Sequence, residues 1–430
     1  MKISSRFPQY TEYSPKVPVW CVTPGEGRCL HRFFDTSPFS PSMRYLAVLR
    51  MPQEDQLPVP GETAEIVLID LETAEEKVVA TTCGWESQMG ANINWGADDS
   101  ALFYNDVAPD TWQPHCVRLN PLTGEKRILN GTIYRISPDG RHVISSCMKR
   151  MRRTQFGYGV VIPDELVPRN RGFRKDDGLY ITDTETGESK LLVSIHDVFE
   201  KALPKIDMAK YADGECYGFH CKYNPQGDRI IFTMRWFKTD EEQPWNMISK
   251  HLDYWVVNMK TDGSDIRVAV GPEQWEKRGH HNNWYPNGRQ ISMNLAIDGD
   301  RKLYFVRVNY DGTGLEKITS AMPGSGHPTI HPDGQHILTD TYAHEPVAFG
   351  DGTVPIRLID LHTETEETLI RINVKNPGMN VASALRVDPH PAWAQDNRHV
   401  ALNGFVNGTR RVFIADMGQV VAPVDQKFFY

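Results

Sequence analysis

The sequence predicts an all-β fold, a seven-bladed β-propeller with four antiparallel strands per blade, and three observations predict it. A turn of the form Pro-Asp-Gly-Arg ahead of a β-rich run recurs seven times. A strand that runs into a turn resembling Asp-x-x-Thr-Gly-Glu lies between those copies, and it also counts to seven. The 33 Gly and 29 Pro are spread along all 430 residues, which favours many short strands and turns over long helices.

The first series runs SPSMRYLAVL from Ser40, GADDSALFY from Gly96, SPDGRHVISS from Ser137, NPQGDRIIFT from Asn224, YPNGRQISMN from Tyr285, HPDGQHILTD from His331 and AQDNRHVALN from Ala394. The second runs EIVLIDLETAEEKVV, CVRLNPLTGEKRIL, LYITDTETGESKLL, YWVVNMKTDGSDIRV, LYFVRVNYDGTGLEKI, IRLIDLHTETEETLI and VFIADMGQVV. Each unit therefore has two hairpins joined by a connection, a four-stranded sheet that only radial repetition can protect at its edges. A terminal segment is expected to close the last blade. One domain over residues 1–430 follows, with two additions in the longest gap between turns. These are a basic, Gly/Pro-broken loop insertion at about 149–178 and a short helix near 196–208.

Composition narrows the function classes. With 40% hydrophobic and 24% charged residues the chain is globular, and its net charge of -8 argues against a general nucleic-acid binder, which needs a basic face. No apolar run is long enough to span a membrane, and the N-terminal segment lacks the apolar centre of a signal peptide, so no membrane partner and a cytoplasmic location are expected. Seven Cys without a CxxC spacing fit free thiols rather than a disulfide frame.

The turn positions of the seven repeats are Met43, Asp99, Gly140, Gly227, Gly288, Gly334 and Asn397. Seven residues before each, at the start of the inner strand, stand Thr36, Asn92, Ile133, His220, His281, His327 and His390. Equal register in a propeller means equal height, so four histidines are expected to converge on one mouth of the channel. A single such histidine could merely bond a neighbouring blade. Four together suit a divalent metal or an anionic ligand, and Asp388, on the same strand face as His390, adds a carboxylate.

At these residues the chain resembles the propeller-fold polysaccharide lyases. GHHNNWYPNG, GHPTIHPDG and DPHPAWAQDN are similar to the metal-ligand strands of the oligogalacturonate lyase family, which carries a His-rich manganese site on a seven-bladed propeller. The resemblance implies a divalent metal on His281, His327, His390 and Asp388, with manganese, calcium and zinc left open. Asp388 stands where the family pattern has a further His. The insertion resembles that of the ulvan and rhamnose–glucuronate lyases, whose pattern Tyr158 in QFGYGV, Arg174 in RGFRKDD and His115 in QPHCVRL match. Asn92 and Asn94 stand where that branch has another His.

The resemblance implies cleavage of a uronic-acid-containing oligo- or polysaccharide by β-elimination. The chemistry asks for the same residue types independently. The C5 proton is too weakly acidic to leave unless the adjacent carboxylate is neutralised, by an arginine fork or a metal. Tyr158, His115 or His220 would then move the proton, and Arg174 would grip the carboxylate. Asn92, Asn94 and Gln88 are expected to touch the substrate. Arg153 and Arg171, with Arg152 and Arg169, would give the loop a positive field for an acidic glycan. Each has a bland alternative: Tyr158 a packing aromatic, Arg174 a solvated charge, His115 a surface strand residue.

Three rivals remain. A non-catalytic propeller that binds or scaffolds a partner does not need the histidine register. A prolyl-peptidase-like hydrolase would need a G-x-S-x-G elbow, which is absent from the sequence. A glycoside hydrolase could draw its carboxylates from Asp35, Asp106 and Asp340.

Overall fold

The computed structural model describes residues 1–239, 252–276, 278–375, 384–422 and 424. They form seven separate four-stranded antiparallel sheets, the seven blades of the propeller. In six blades the four strands follow one another in the chain. In the seventh, Ala392–Trp393, His399–Val406 and Thr409–Asp416 are completed by Val19–Cys21 from the N-terminal region, with Val19 opposite Ala415 and Cys21 opposite Phe413. This pairing closes the ring and removes the last open edge.

The inner strands are Cys29–Leu30, Asn94–Trp95, Arg135–Ile136, Gly214–Tyr223, Gly279–Trp284, Thr329–Ile330 and Ala392–Trp393. Outer strands such as Glu75–Thr82 and Thr365–Asn373 are largely exposed over their first residues and become buried toward their ends. The repeated turn has a physical signature. Met43, Gly140, Gly227, Gly288, Gly334 and Asn397 all take left-handed φ between 49° and 75°, and each donates its N–H to the carbonyl three residues earlier. In these six blades the geometry fixes where the inner strand ends and hence the register of the residue seven positions before the turn.

Apolar side chains fill the wedges between blades. Ile231 and Val256 of the fourth blade pack with Trp284, Ile291 and Met293 of the fifth, for example. The insertion joins the second and third strands of the third blade, His142–Ser145 and Gly178–Asp183, and carries a one-turn helix at Met148–Met151. The expected helix near 196–208 is shorter and begins one residue earlier, at Ile195–Lys201. Ser194 and Asp197 cap it reciprocally, and it stops two residues before the Leu203–Pro204 step, where the residue preceding a proline is driven out of the helical region. All seven cysteines are free. No described helix is long and apolar enough to cross a membrane.

Candidate functional site

The register residues meet at one end of the channel because the inner strands are bulged there. Pairing slips between Gly218 and Cys221 and between His280 and Asn283, where His220 and His281 sit. His281, His390 and Asn92 take left-handed backbone at φ 59°, 49° and 52°. A bulge of this kind re-aims one side chain off the sheet face, here toward the axis. The His281 and His327 rings lie 3.9 Å apart and those of His327 and His390 4.2 Å. His220 joins them across Phe33, whose ring stands 4.6 to 6.1 Å from all four imidazoles. Sequence reasoning passed over Phe33. Its signal was faint: an apolar pair, Phe33–Phe34, just ahead of the Thr36 register position.

Asp340 organises two of the histidines. It accepts the backbone N–H of His327 at 2.7 Å and of His390 at 2.9 Å, and the His327 Nδ1–H at 2.9 Å. The His327 Nε2 lone pair is thereby turned outward without a hydrogen-bond partner, as are both ring nitrogens of His390 and Nε2 of His220. Asp388 Oδ2 lies 3.8 Å from His390 Nε2, and His327, Asp388 and His390 offer donor atoms within 4.8 Å of one another. Buried, unpartnered imidazole nitrogens beside a carboxylate, one of them oriented by a second carboxylate behind it, fit a divalent metal. His281, also expected as a ligand, has both nitrogens engaged: Nδ1 faces the Gly326 carbonyl at 2.5 Å and Nε2 the Tyr342 hydroxyl at 3.1 Å. Burial pushes His220, His281 and His390 well below the ordinary imidazole range, and it pushes the neighbouring His280 down to about 3. At neutral pH these four rings are uncharged, as ligands and bases must be.

Tyr158 reaches this cluster from the insertion. Gly157 and Gly159 on either side take φ +92° and +89°, and a Cβ on them would meet Gln88 Cγ at 2.6 Å and the Met148 carbonyl oxygen at 2.4 Å. Only glycine permits that approach. The Tyr158 ring is 6.0 Å from that of His220, and its hydroxyl accepts a hydrogen bond from Arg386 at 3.4 Å. Arg386, which the sequence reading missed, also donates to Asp388 Oδ2 at 2.7 Å. Arg235 is a second missed cation, stacked 3.5 Å over the Phe219 ring and bonded to Gln155. Gln88 is buried. Its amide donates to the carbonyls of Ala384 and Arg386 while its backbone N–H holds Gly157, so it clamps the Tyr158 loop to the Arg386 segment.

Other expected site residues lie elsewhere. His115 is on the third strand of the second blade, with Nδ1 3.4 Å from the Gln113 carbonyl, and has no contact with Tyr158 among the described residues. Arg174 is bound at the surface by both carboxylate oxygens of Asp176, at 2.7 and 2.6 Å. Asn92 and Asn94 are buried. Asn92 accepts from Arg32, and Asn94 donates to the carbonyls of Asn92 and Tyr134. Arg153 is buried against the carbonyls of Val167 and Pro168, and Arg171 is exposed, bridging by its backbone to Glu215. The expected positive field of the loop is largely consumed by pairing: Arg150 with Asp177, Arg152 with Glu86 and Arg169 with Glu215. The three carboxylates weighed for glycoside hydrolysis are committed as well. Burial alone would raise the Asp35 carboxyl, but Lys222, Arg32 and Arg135 outweigh it and hold it far below the usual range. Asp106 caps the Cys83 and Val107 amides, and Asp340 holds the histidine strands. A cavity of about 880 Å³ opens beside His142, Lys190, Tyr223 and Asp262 and contains none of these residues.

No family model matches the chain, and no curated protein matches it either. Solved structures do resemble it. An oligogalacturonate lyase in complex with manganese aligns at 15% identity with a TM-score of 0.61, covering 97% of this chain and 98% of the other. The oligogalacturonate lyase of Vibrio parahaemolyticus aligns at 15% identity with a TM-score of 0.64, covering 96% and 97%. The propeller that the repeats predict is thus the fold of these lyases over nearly the whole of both chains.

Proposed function

We propose that this propeller is a polysaccharide lyase that cleaves a uronic-acid-containing oligosaccharide by β-elimination at the channel mouth. The observation that carries the reading is Tyr158, whose hydroxyl meets the Arg386 guanidinium and whose ring lies 6.0 Å from the neutral imidazole of His220. An uncharged base, a neutral acid and a carboxylate-gripping cation are the three groups the elimination needs.

Arg386 binds the uronate carboxylate and disperses the charge that builds on it as the C5–H bond breaks. This is the part the resemblance gives to Arg174, which here lies at the surface with two nitrogens on Asp176, while Arg386 holds Asp388 through Nε alone. His220 Nε2, buried and unpartnered, takes the C5 proton. The electron pair becomes the C4=C5 double bond, the C4–O4 bond breaks, and the Tyr158 hydroxyl delivers a proton to the leaving O4. His327, Asp388 and His390 would hold a divalent ion, which when bound supplies Lewis-acid polarisation of the same carboxylate. Phe33 and Phe34, fully buried, close the channel behind the reacting groups and exclude water. The kinship in fold with the oligogalacturonate lyases supports an acidic oligosaccharide as substrate.

The test is incubation with a panel of uronate oligosaccharides. Elimination creates a conjugated C4=C5 double bond with strong ultraviolet absorbance and one new reducing end per cut. New reducing ends without that absorbance would mean hydrolysis and would overturn the reading.

A further inference from the structure

The sixth-blade turn, HPDGQH, carries more donor groups than a turn requires. It lies at the far end of the Thr329–Ile330 strand from His327, away from the proposed active site. Asp333 Oδ1 does the ordinary work there and accepts the backbone N–H groups of Gln335 and His336. Its other oxygen, Oδ2, is flanked by two imidazoles, with His331 Nδ1 at 2.9 Å and His336 Nδ1 at 2.7 Å.

The protonation of His331 follows from its neighbours. Nε2 stands 3.0 Å from the Asn397 carbonyl, which can only accept, so Nε2 carries the proton. Nδ1 faces the Asp333 backbone N–H at 3.3 Å, which can only donate, so Nδ1 presents its lone pair. That lone pair lies 2.9 Å from a carboxylate oxygen, an acceptor against an acceptor. Only a positive species between them makes this arrangement favourable. The seventh blade shows the turn without the surplus: Ala394 replaces His331, and Asp396 Oδ2 pairs with His399 Nδ1 alone, at 2.5 Å.

We propose that His331 Nδ1, Asp333 Oδ2 and His336 Nδ1 form a second metal site, for a divalent transition-metal ion of the zinc class. The three residues offer donor atoms within 4.8 Å of one another, and a two-imidazole, one-carboxylate set suits that class. His331 is buried and tied to the seventh-blade turn through Asn397, while Asp333 and His336 are partly exposed and give the ion a way in. The ion staples the sixth and seventh blades on the face opposite the histidine cluster, and its role is structural.

The experiment is a zinc titration of metal-stripped protein against a chromogenic chelator, comparing wild type with His336→Gln and with His399→Gln as control. His336→Gln is expected to bind one zinc ion fewer than wild type and to lose part of the zinc-dependent rise in melting temperature, while His399→Gln retains both. Equal stoichiometry in wild type and His336→Gln overturns the site. His336→Cys covers the case in which the glutamine variant does not fold. It is expected to give thiolate-to-cobalt charge-transfer absorbance on addition of cobalt(II), and absence of that band overturns the site as well.

Discussion

The basic insertion and the channel mouth make opposite use of charge. The insertion is conspicuous in sequence, yet its arginines are spent on structure: Arg150 on Asp177 at 3.3 Å, Arg152 on Glu86 at 2.6 Å, Arg169 on Glu215 at 2.5 Å and Arg174 on Asp176 at 2.6 Å. The mouth has fewer charges and more unspent valence, with bare nitrogens on His220, His327 and His390 in a setting closed to water. Buried polar groups are nearly always partnered, so a cluster of exceptions points to something that binds there. What folding leaves unpaired is therefore the better guide to function than where charge is dense.

Breaking the insertion's side of this contrast should produce the largest effect. Glu86 is fully buried, and Arg152 is its ion-pair partner. Removing the partner of a buried charge typically costs about 3–5 kcal/mol, because the remaining charge stays desolvated. Arg152→Ala should show a loss of that order in urea unfolding at neutral pH, and adding Glu86→Gln should recover much of it. A loss near zero would mean that water reaches Glu86 and that the insertion's charges are not structural.

At the mouth the expected loss is in rate. Tyr158→Phe removes one hydroxyl and should cut kcat about a hundred- to a thousandfold with KM little changed, since the proton is delivered only as the C4–O4 bond breaks. Arg386→Ala should lower kcat to a similar degree and raise KM too, because the carboxylate is held before and during reaction. Near-normal turnover by Tyr158→Phe would leave Tyr158 as packing and hand proton delivery to another group.

Acid should undo the mouth before the insertion. Burial lowers His31 to about 4 and His280 to about 3, against an ordinary value of 6.5. The unfolded chain takes up these protons first, so the stability tied to neutral imidazoles is complete above about 6.5. It is lost as pH falls from there toward the folded values, by up to about 1.4 kcal/mol per pH unit for each histidine. Urea midpoints measured downward from neutrality should fall, and His31→Gln should flatten the decline. A flat profile from pH 7 to pH 5 would contradict buried, neutral rings.

How much could be read from the sequence follows the same division. The turns were legible because six of the seven repeats need a left-handed residue at one place, occupied by Gly140, Gly227, Gly288 and Gly334 in four blades and by Met43 and Asn397 in two more. The histidine register was legible for the same reason, since six equal turns, those of all four histidine strands among them, make equal heights. Arg386, Arg235 and Phe33 stand outside that register, on segments whose place over the channel is set by tertiary packing, and no periodicity marks them. Arg174 looked like the carboxylate clamp because its motif matched, but it lies at the surface with two of its nitrogens on Asp176, whereas Arg386 gives Asp388 its Nε alone and holds a second nitrogen against Tyr158.

The smallest expected effect therefore tests the comparison most sharply. Arg174 is a surface residue whose guanidinium is occupied by Asp176, and ion pairs so exposed contribute about 0–1 kcal/mol. Arg174→Ala should leave the melting temperature within a degree or two and kcat/KM within a few-fold of wild type, while Arg386→Ala, a change of the same chemical kind, nearly abolishes turnover. Both cations have a carboxylate two residues on, and the variants differ in that Arg174 is exposed while Arg386 is largely buried beside Tyr158 and the histidine cluster. If Arg174→Ala instead lost activity on the Arg386→Ala scale, the Arg174–Asp176 pair would have to open on substrate binding, and the insertion would belong to the active site after all.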